Sequence, residues 1–136
     1  MRGDILGAAV AAQARGLIGA PFRLHGRDER RGVDCVGIAA LAFERAGHRG
    51  ALPPAYGLRL NDIARVRAWL AAAGLAEVAE MRPGDLALVR PGPVQLHLMI
   101  AVPGGFVHAH AGLGRVVECP GASPWPVIGI WRAIEE

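Results

Sequence analysis

Cysteine and histidine are the side chains of this chain best suited to covalent and proton-transfer chemistry near neutral pH, and it has two of the first and five of the second. Cys35 sits in GVDCVGIAALAFERAG, residues 32–47, directly after an aspartate and at the head of a run with helical spacing. A nucleophilic cysteine needs a stabilised thiolate, a base within reach, and a group that holds the base in the right tautomer. A helix start supplies the first, because unpaired backbone N–H groups and the helix dipole favour negative charge there. A free thiol with a pKa of about 8.5 can drop by several units in such a place. Asp34 opposes this unless its carboxylate is engaged in capping. The base has to come from elsewhere in the chain. LHLMIAV and FVHAHA, within residues 96–111, read as a hairpin carrying His97, His108 and His110. With Gly104-Gly105 as the turn, Pro103 pairs with Phe106 and His108 stands opposite Ala101, four residues after His97. Residues two or four apart on a strand share a face. All three imidazoles therefore point to one side of the sheet, where the helix headed by Cys35 is expected to lay its thiol. A cysteine, a histidine and a second histidine form a nucleophile, base and orienter set. Parity leaves His108 and His110 open as the orienter.

The elements that must position these groups follow from periodicity and breakers. Residues 4–18 are Ala-rich and free of proline, a helix with Asp4 as its cap; GAPF at 19–22 ends it. RLHGRDERRGV, residues 23–33, is a charged loop with two glycines. Asp34 caps a helix from Cys35 to Ala46, closed by Gly47. Residues 48–57 form a loop, and residues 48–60 are a candidate wall of the cleft. A third helix spans residues 60–74, with Ile63, Val66, Trp69, Leu70 and Ala73 on one face. The second half changes character. RPGDLALVR, LHLMIAV, FVHAHA, GRVVEC and VIGIWRAIE read as strands separated by Pro/Gly turns. Helices first and an antiparallel sheet second make an α+β fold of one domain over residues 1–136. Asp85 reads as a turn residue, Cys119 as packing, and Trp125 and Trp131 as core or edge cover.

Composition narrows the function classes. The chain has 136 residues, is 52% hydrophobic, and carries a net charge of +3 with arginine as its only basic residue besides histidine. That charge is modest and suits an anionic polymer such as cell wall. The arginines are scattered and aromatics few, which argues against a nucleic-acid groove with stacking platforms. Two cysteines are no disulfide framework. No apolar run is long enough to span a membrane. The Ala-rich start reads as the first helix of the domain and not as a signal peptide, so the expected site of synthesis is the cytoplasm.

GAPFRLHGRDERRGVDCVG, RPGDLALV and HLMIAVPGGFVHA together resemble the NlpC family of papain-like cell-wall cysteine endopeptidases. The likeness runs from about Gly19 to Ala109 and is strongest to the short members carried by phage tails and gene transfer agents. Cys35 matches the family nucleophile in Asp-Cys-x-Gly. His97 matches the histidine that opens the H-x-x-I strand, and His108 the polar third member in F-V-H-A. The resemblance implies a papain-like α+β fold and attack by Cys35 on a stem-peptide amide of peptidoglycan. His97 would exchange the proton, His108 would orient it, and helix-start N–H groups would steady the oxyanion. It implies no cofactor and no metal. Peptidoglycan stem peptides are the implied partners, with phage-like tail proteins for a tail-borne member. Asp34, Phe22, His25 and Val36 are the candidate substrate-contacting residues. Two of them depart from the family: Phe22 stands where tyrosine is usual, and Val36 where many members have serine.

Three rival readings make different demands. A zinc hydrolase would use His97, His108 and His110 as ligands, but the hairpin offers no carboxylate to steady the rings. A non-catalytic tail or wall-binding module would leave Cys35 unreactive. An acyltransferase or amidase with the same Cys–His pair would need an exposed apolar groove beside Cys35.

Overall fold

The computed structural model describes residues 2–52 and 61–134. Among the described residues, three helices precede and flank a six-stranded antiparallel sheet: α1 (Arg2–Gly16), α2 (Cys35–Arg45) and α3 (Ile63–Ala72). The strands are β3 (Leu75–Val78), β4 (Leu86–Val89), β5 (His97–Val102), β6 (Gly105–His110), β7 (Arg115–Pro120) and β8 (Val127–Ala133), in the order β3-β8-β4-β5-β6-β7. This is the expected α+β arrangement. The loop expected at residues 23–33 contains a short ribbon, β1 (Arg27–Asp28) paired with β2 (Gly32–Val33). The sequence reading also passes over β3, whose pairing with β8 forms one edge of the large sheet.

The main core lies on one face of that sheet. Val10 and Ala14 of α1, Leu17 just after it, and Ile38, Ala42 and Phe43 of α2 pack there against Leu98, Ile100, Val107 and Trp131. The opposite face carries a smaller apolar cluster of Ala87, Val89, Met99, Ala101 and Phe106, joined by Met81 and Trp125. Alternation assigns His97, Met99 and Ala101 to this second face. Ala101 pairs with Phe106, so His108 and His110 follow onto it. The histidine face is therefore not the helix face, which corrects the expected docking of α2 on the imidazoles. Cys35, the first residue of α2, stands where that helix meets the start of β5.

The hairpin turn is also corrected. Val102 pairs with Gly105, so the two turn residues are Pro103 and Gly104. Proline presets φ at the first position, and Gly104 takes φ +79° at the second, the pattern of a type II turn. Both pairing partners move, so the register changes while parity is kept, and the histidines stay on one face. Asp85 does more than turn the chain. It is buried, accepts the Arg82 N–H at 2.8 Å, and receives Arg132 through two contacts of 2.9 and 2.7 Å. That fork ties the entry of β4 to β8.

Candidate active site

The Cys35 end of the site is built around Asp34. Its backbone is extended, and its Oδ1 accepts the Gly37 N–H at 2.7 Å, an N-cap on α2. Its Oδ2 accepts the His25 N–H at 2.9 Å. Each carboxylate oxygen is thus engaged by a backbone donor, and the residue is only 5% exposed. Asp34 fixes where α2 begins and clasps the preceding loop to it. Gly37 completes the joint: a Cβ there would collide with the Gly26 carbonyl, so the helix can meet the loop this closely only with glycine. Val36 turns into the core, 1% exposed, away from any substrate.

Cys35 is left at the helix start, half-buried. Backbone N–H groups of Leu98, Val36 and Cys35 itself act on its sulfur and favour the thiolate. Burial outweighs them and, with the neighbouring Asp34 carboxylate, pushes the thiol up to about 12. The expected lowering of the thiol pKa is therefore reversed: Cys35 rests as a neutral thiol. Leu98 follows His97 in the chain, so its contact brings Cys35 to the start of β5.

At the hairpin end, His97 Nε2 and His108 Nδ1 lie 2.9 Å apart, with the rings at 79°. Burial and the facing histidines push His97 down to about 3. Burial first, then His110, also lowers His108. Two neutral rings then share one proton along this contact. With His97 donating from Nε2, its Nδ1 carries the lone pair of a base. His110 is occupied differently: its Nδ1 accepts the Leu113 N–H at 3.0 Å and closes the next turn. Of the two candidate orienters, the structure brings His108 to His97.

Both ends open into one cavity of about 540 Å³. Cys35, His97, His108, Asp34 and Phe22 line it, while His25 and Val36 do not. His25 stands in the loop with φ +63° and reaches the site through its N–H to Asp34. Residues 48–52 do not line the cavity, and residues 53–60 lie outside the described residues. Apolar residues that the sequence does not assign to the site complete the wall: Leu24, Val94, Leu96 and Trp125. Trp125, in SPWP, reads from the sequence as core or edge cover, and the structure places it at the cavity. Among the described residues, no group of three or more His, Cys, Asp or Glu side chains is placed to hold a metal ion. His97 and His108 aim one ring nitrogen each at the other, and His110 aims one at a backbone N–H.

No protein-family model and no curated protein sequence matches the chain. Solved structures do. NlpC1 from Trichomonas vaginalis superposes with a TM-score of 0.67 over 92% of this chain at 24% identity. The NlpC/p60 domain of the peptidoglycan hydrolase SagA gives 0.58 over 84% at 26% identity. The fold is that of the NlpC/P60 domains. The peptidoglycan hydrolase RipB from Mycobacterium tuberculosis agrees, at 0.65 over 99% of the chain and 22% identity. The chain spans 44% of the Trichomonas protein, 88% of the SagA domain and 68% of RipB. On the NlpC/P60 scaffold seen here, the cavity holds a thiol and an imidazole pair, the elements of acyl transfer.

Proposed function

We propose that this protein is a cysteine peptidase that hydrolyses stem-peptide amides of bacterial peptidoglycan. The observation that carries the reading is the 2.9 Å His97–His108 contact inside the cavity that Cys35 also lines. The hydrolase neighbours with the same fold supply the substrate class.

The resting site holds a neutral thiol and neutral imidazoles, which sets the order of events. His97 Nδ1 takes the Cys35 proton as sulfur attacks the amide carbonyl, so general-base catalysis accompanies attack. The positive charge arising on His97 is met by His108 through the existing hydrogen bond. The Cys35 and Val36 N–H groups act on the sulfur at the helix start, and in this mechanism such donors stabilise the negative charge that grows beside it. His97 then protonates the leaving amine, and the acyl–Cys35 thioester forms. A water molecule, deprotonated by His97, cleaves that thioester and restores the thiol. The resemblance to short tail-borne members extends the proposal to delivery by a phage-like particle, with co-sedimentation of the protein and tail particles as its check.

Digestion of purified sacculi tests the main reading. Wild type is expected to release muropeptides with new amino termini, resolved by liquid chromatography and mass spectrometry. Cys35→Ala is expected to release none. Equal release by the two proteins rejects the thiol mechanism, and no release by folded wild type rejects the substrate.

A further inference from the structure

We propose that Trp125 is a positioning residue that seals the His97–His108 hydrogen bond from water and holds both rings in register with Cys35. The indole meets both imidazoles edge to face, with centroids 5.9 Å from His97 and 5.7 Å from His108 and both interplanar angles at 89°. It thus stands across the pair instead of beside one member. Its turn is fastened in several ways. Ser123 Oγ donates to the Trp125 carbonyl at 2.7 Å, and the Trp125 N–H donates back to Ser123 Oγ at 3.1 Å. Pro124 and Pro126 fix φ on either side. The Pro126 carbonyl accepts the Arg90 N–H at 3.0 Å, which ties the turn to the end of β4. Below, the indole packs against the apolar cluster of the histidine face, which includes Met99 and Phe106. A rigid turn therefore delivers a large apolar surface to the bond that selects the tautomer of His97. Excluding water from such a bond strengthens it and removes the competing donors that would let the rings turn.

The assignment rests on His97 being the base, but its test does not need turnover. The other ionisable groups at the pair are His110 from β6 and Asp34 and Cys35 from the start of α2. Nitrogen-15 spectra of histidine-labelled protein report ring tautomers and titration in wild type, Trp125→Phe and Trp125→Ala. In Trp125→Ala, His97 is expected to titrate about one pH unit closer to its ordinary value and to mix tautomers. Trp125→Phe is expected to keep the wild-type pattern, and kcat on peptidoglycan is expected to fall about tenfold in the alanine variant with KM little changed. Wild-type tautomers and titration in folded Trp125→Ala overturn the proposal. If that variant does not fold, Ser123→Ala frees the turn while keeping the ring: mixed tautomers support the proposal, and unchanged ones overturn it. Spectra of the resting protein judge positioning alone, whereas failure of wild type to cut sacculi counts against the peptidase reading.

Discussion

The two faces of the central sheet are built differently. The helix-covered face is packed with branched and aromatic side chains, Leu98, Ile100, Val107, Phe43 and Trp131. The other has a smaller cluster, Ala87, Val89, Met99, Ala101 and Phe106, beside the paired imidazoles and an indole. One face carries most of the core, and the other holds polar rings at a cavity. Cys35, the proposed nucleophile, packs at the edge of the helix-covered core, at the helix start that opens into the histidine cavity. The proposed chemistry depends on that junction, which the Asp34 cap and the Gly37–Gly26 approach define.

Substitutions separate the two faces. The largest effect is expected from Cys35→Ala and His97→Ala, each lowering kcat/KM on peptidoglycan by about a thousandfold or more. Thermal unfolding of both variants should match wild type or exceed it; a collapsed fold would mean that the histidine face also carries stability. Leu98→Ala, one residue from His97 but on the helix face, is expected to cost about 3 kcal/mol in urea unfolding. A cost under about 0.5 kcal/mol would contradict the division of labour, because such values belong to surface sites. Asp34→Ala should cost about 1–2 kcal/mol through loss of the cap, and acylation of Cys35 should slow as the helix start loosens.

The smallest effect at neutral pH is the pH dependence of stability, which distinguishes the two sides by sign. His97 is held below its ordinary value, so the folded state binds its proton less readily than the unfolded chain. Stability is full above pH 6.5 and falls as pH drops from there toward about 3. Cys35 is raised, so its contribution is full below pH 9.0 and is lost as pH rises toward about 12. Chemical denaturation across pH should show a smaller acid limb in His97→Gln, where the lowered His108 still contributes, and a smaller alkaline limb in Cys35→Ala. Limbs undiminished in both variants would assign the titrations elsewhere.

Much of this arrangement was legible, and the gaps have physical causes. Strand parity put His97 and His108 on one face, and parity survived an incorrect turn because Pro-Gly and Gly-Gly differ by one step on each strand. The face chosen by the helices was not legible, since nearly every residue of LHLMIAV is apolar and offers no contrast between sides. β3 escaped because LAEV is short, half exposed, and defined by its pairing with β8. The helix start at Cys35 followed from the Asp-Cys-x-Gly pattern. The state of its thiol did not, because burial is a property of what packs around it. Trp125 is distant from the histidines in sequence, and only the β4–β8 pairing and the Ser123 turn bring it over them.

The most direct test of the central claim is acylation of the protein by a p-nitrophenyl ester of a stem-peptide fragment, quenched early and mapped by mass spectrometry. The acyl group is expected on Cys35 in wild type, with its rate strongly reduced in His97→Ala and less so in His108→Ala. Acylation mapped to Cys119, or an undiminished rate at Cys35 in His97→Ala, would contradict a nucleophile activated by this histidine pair.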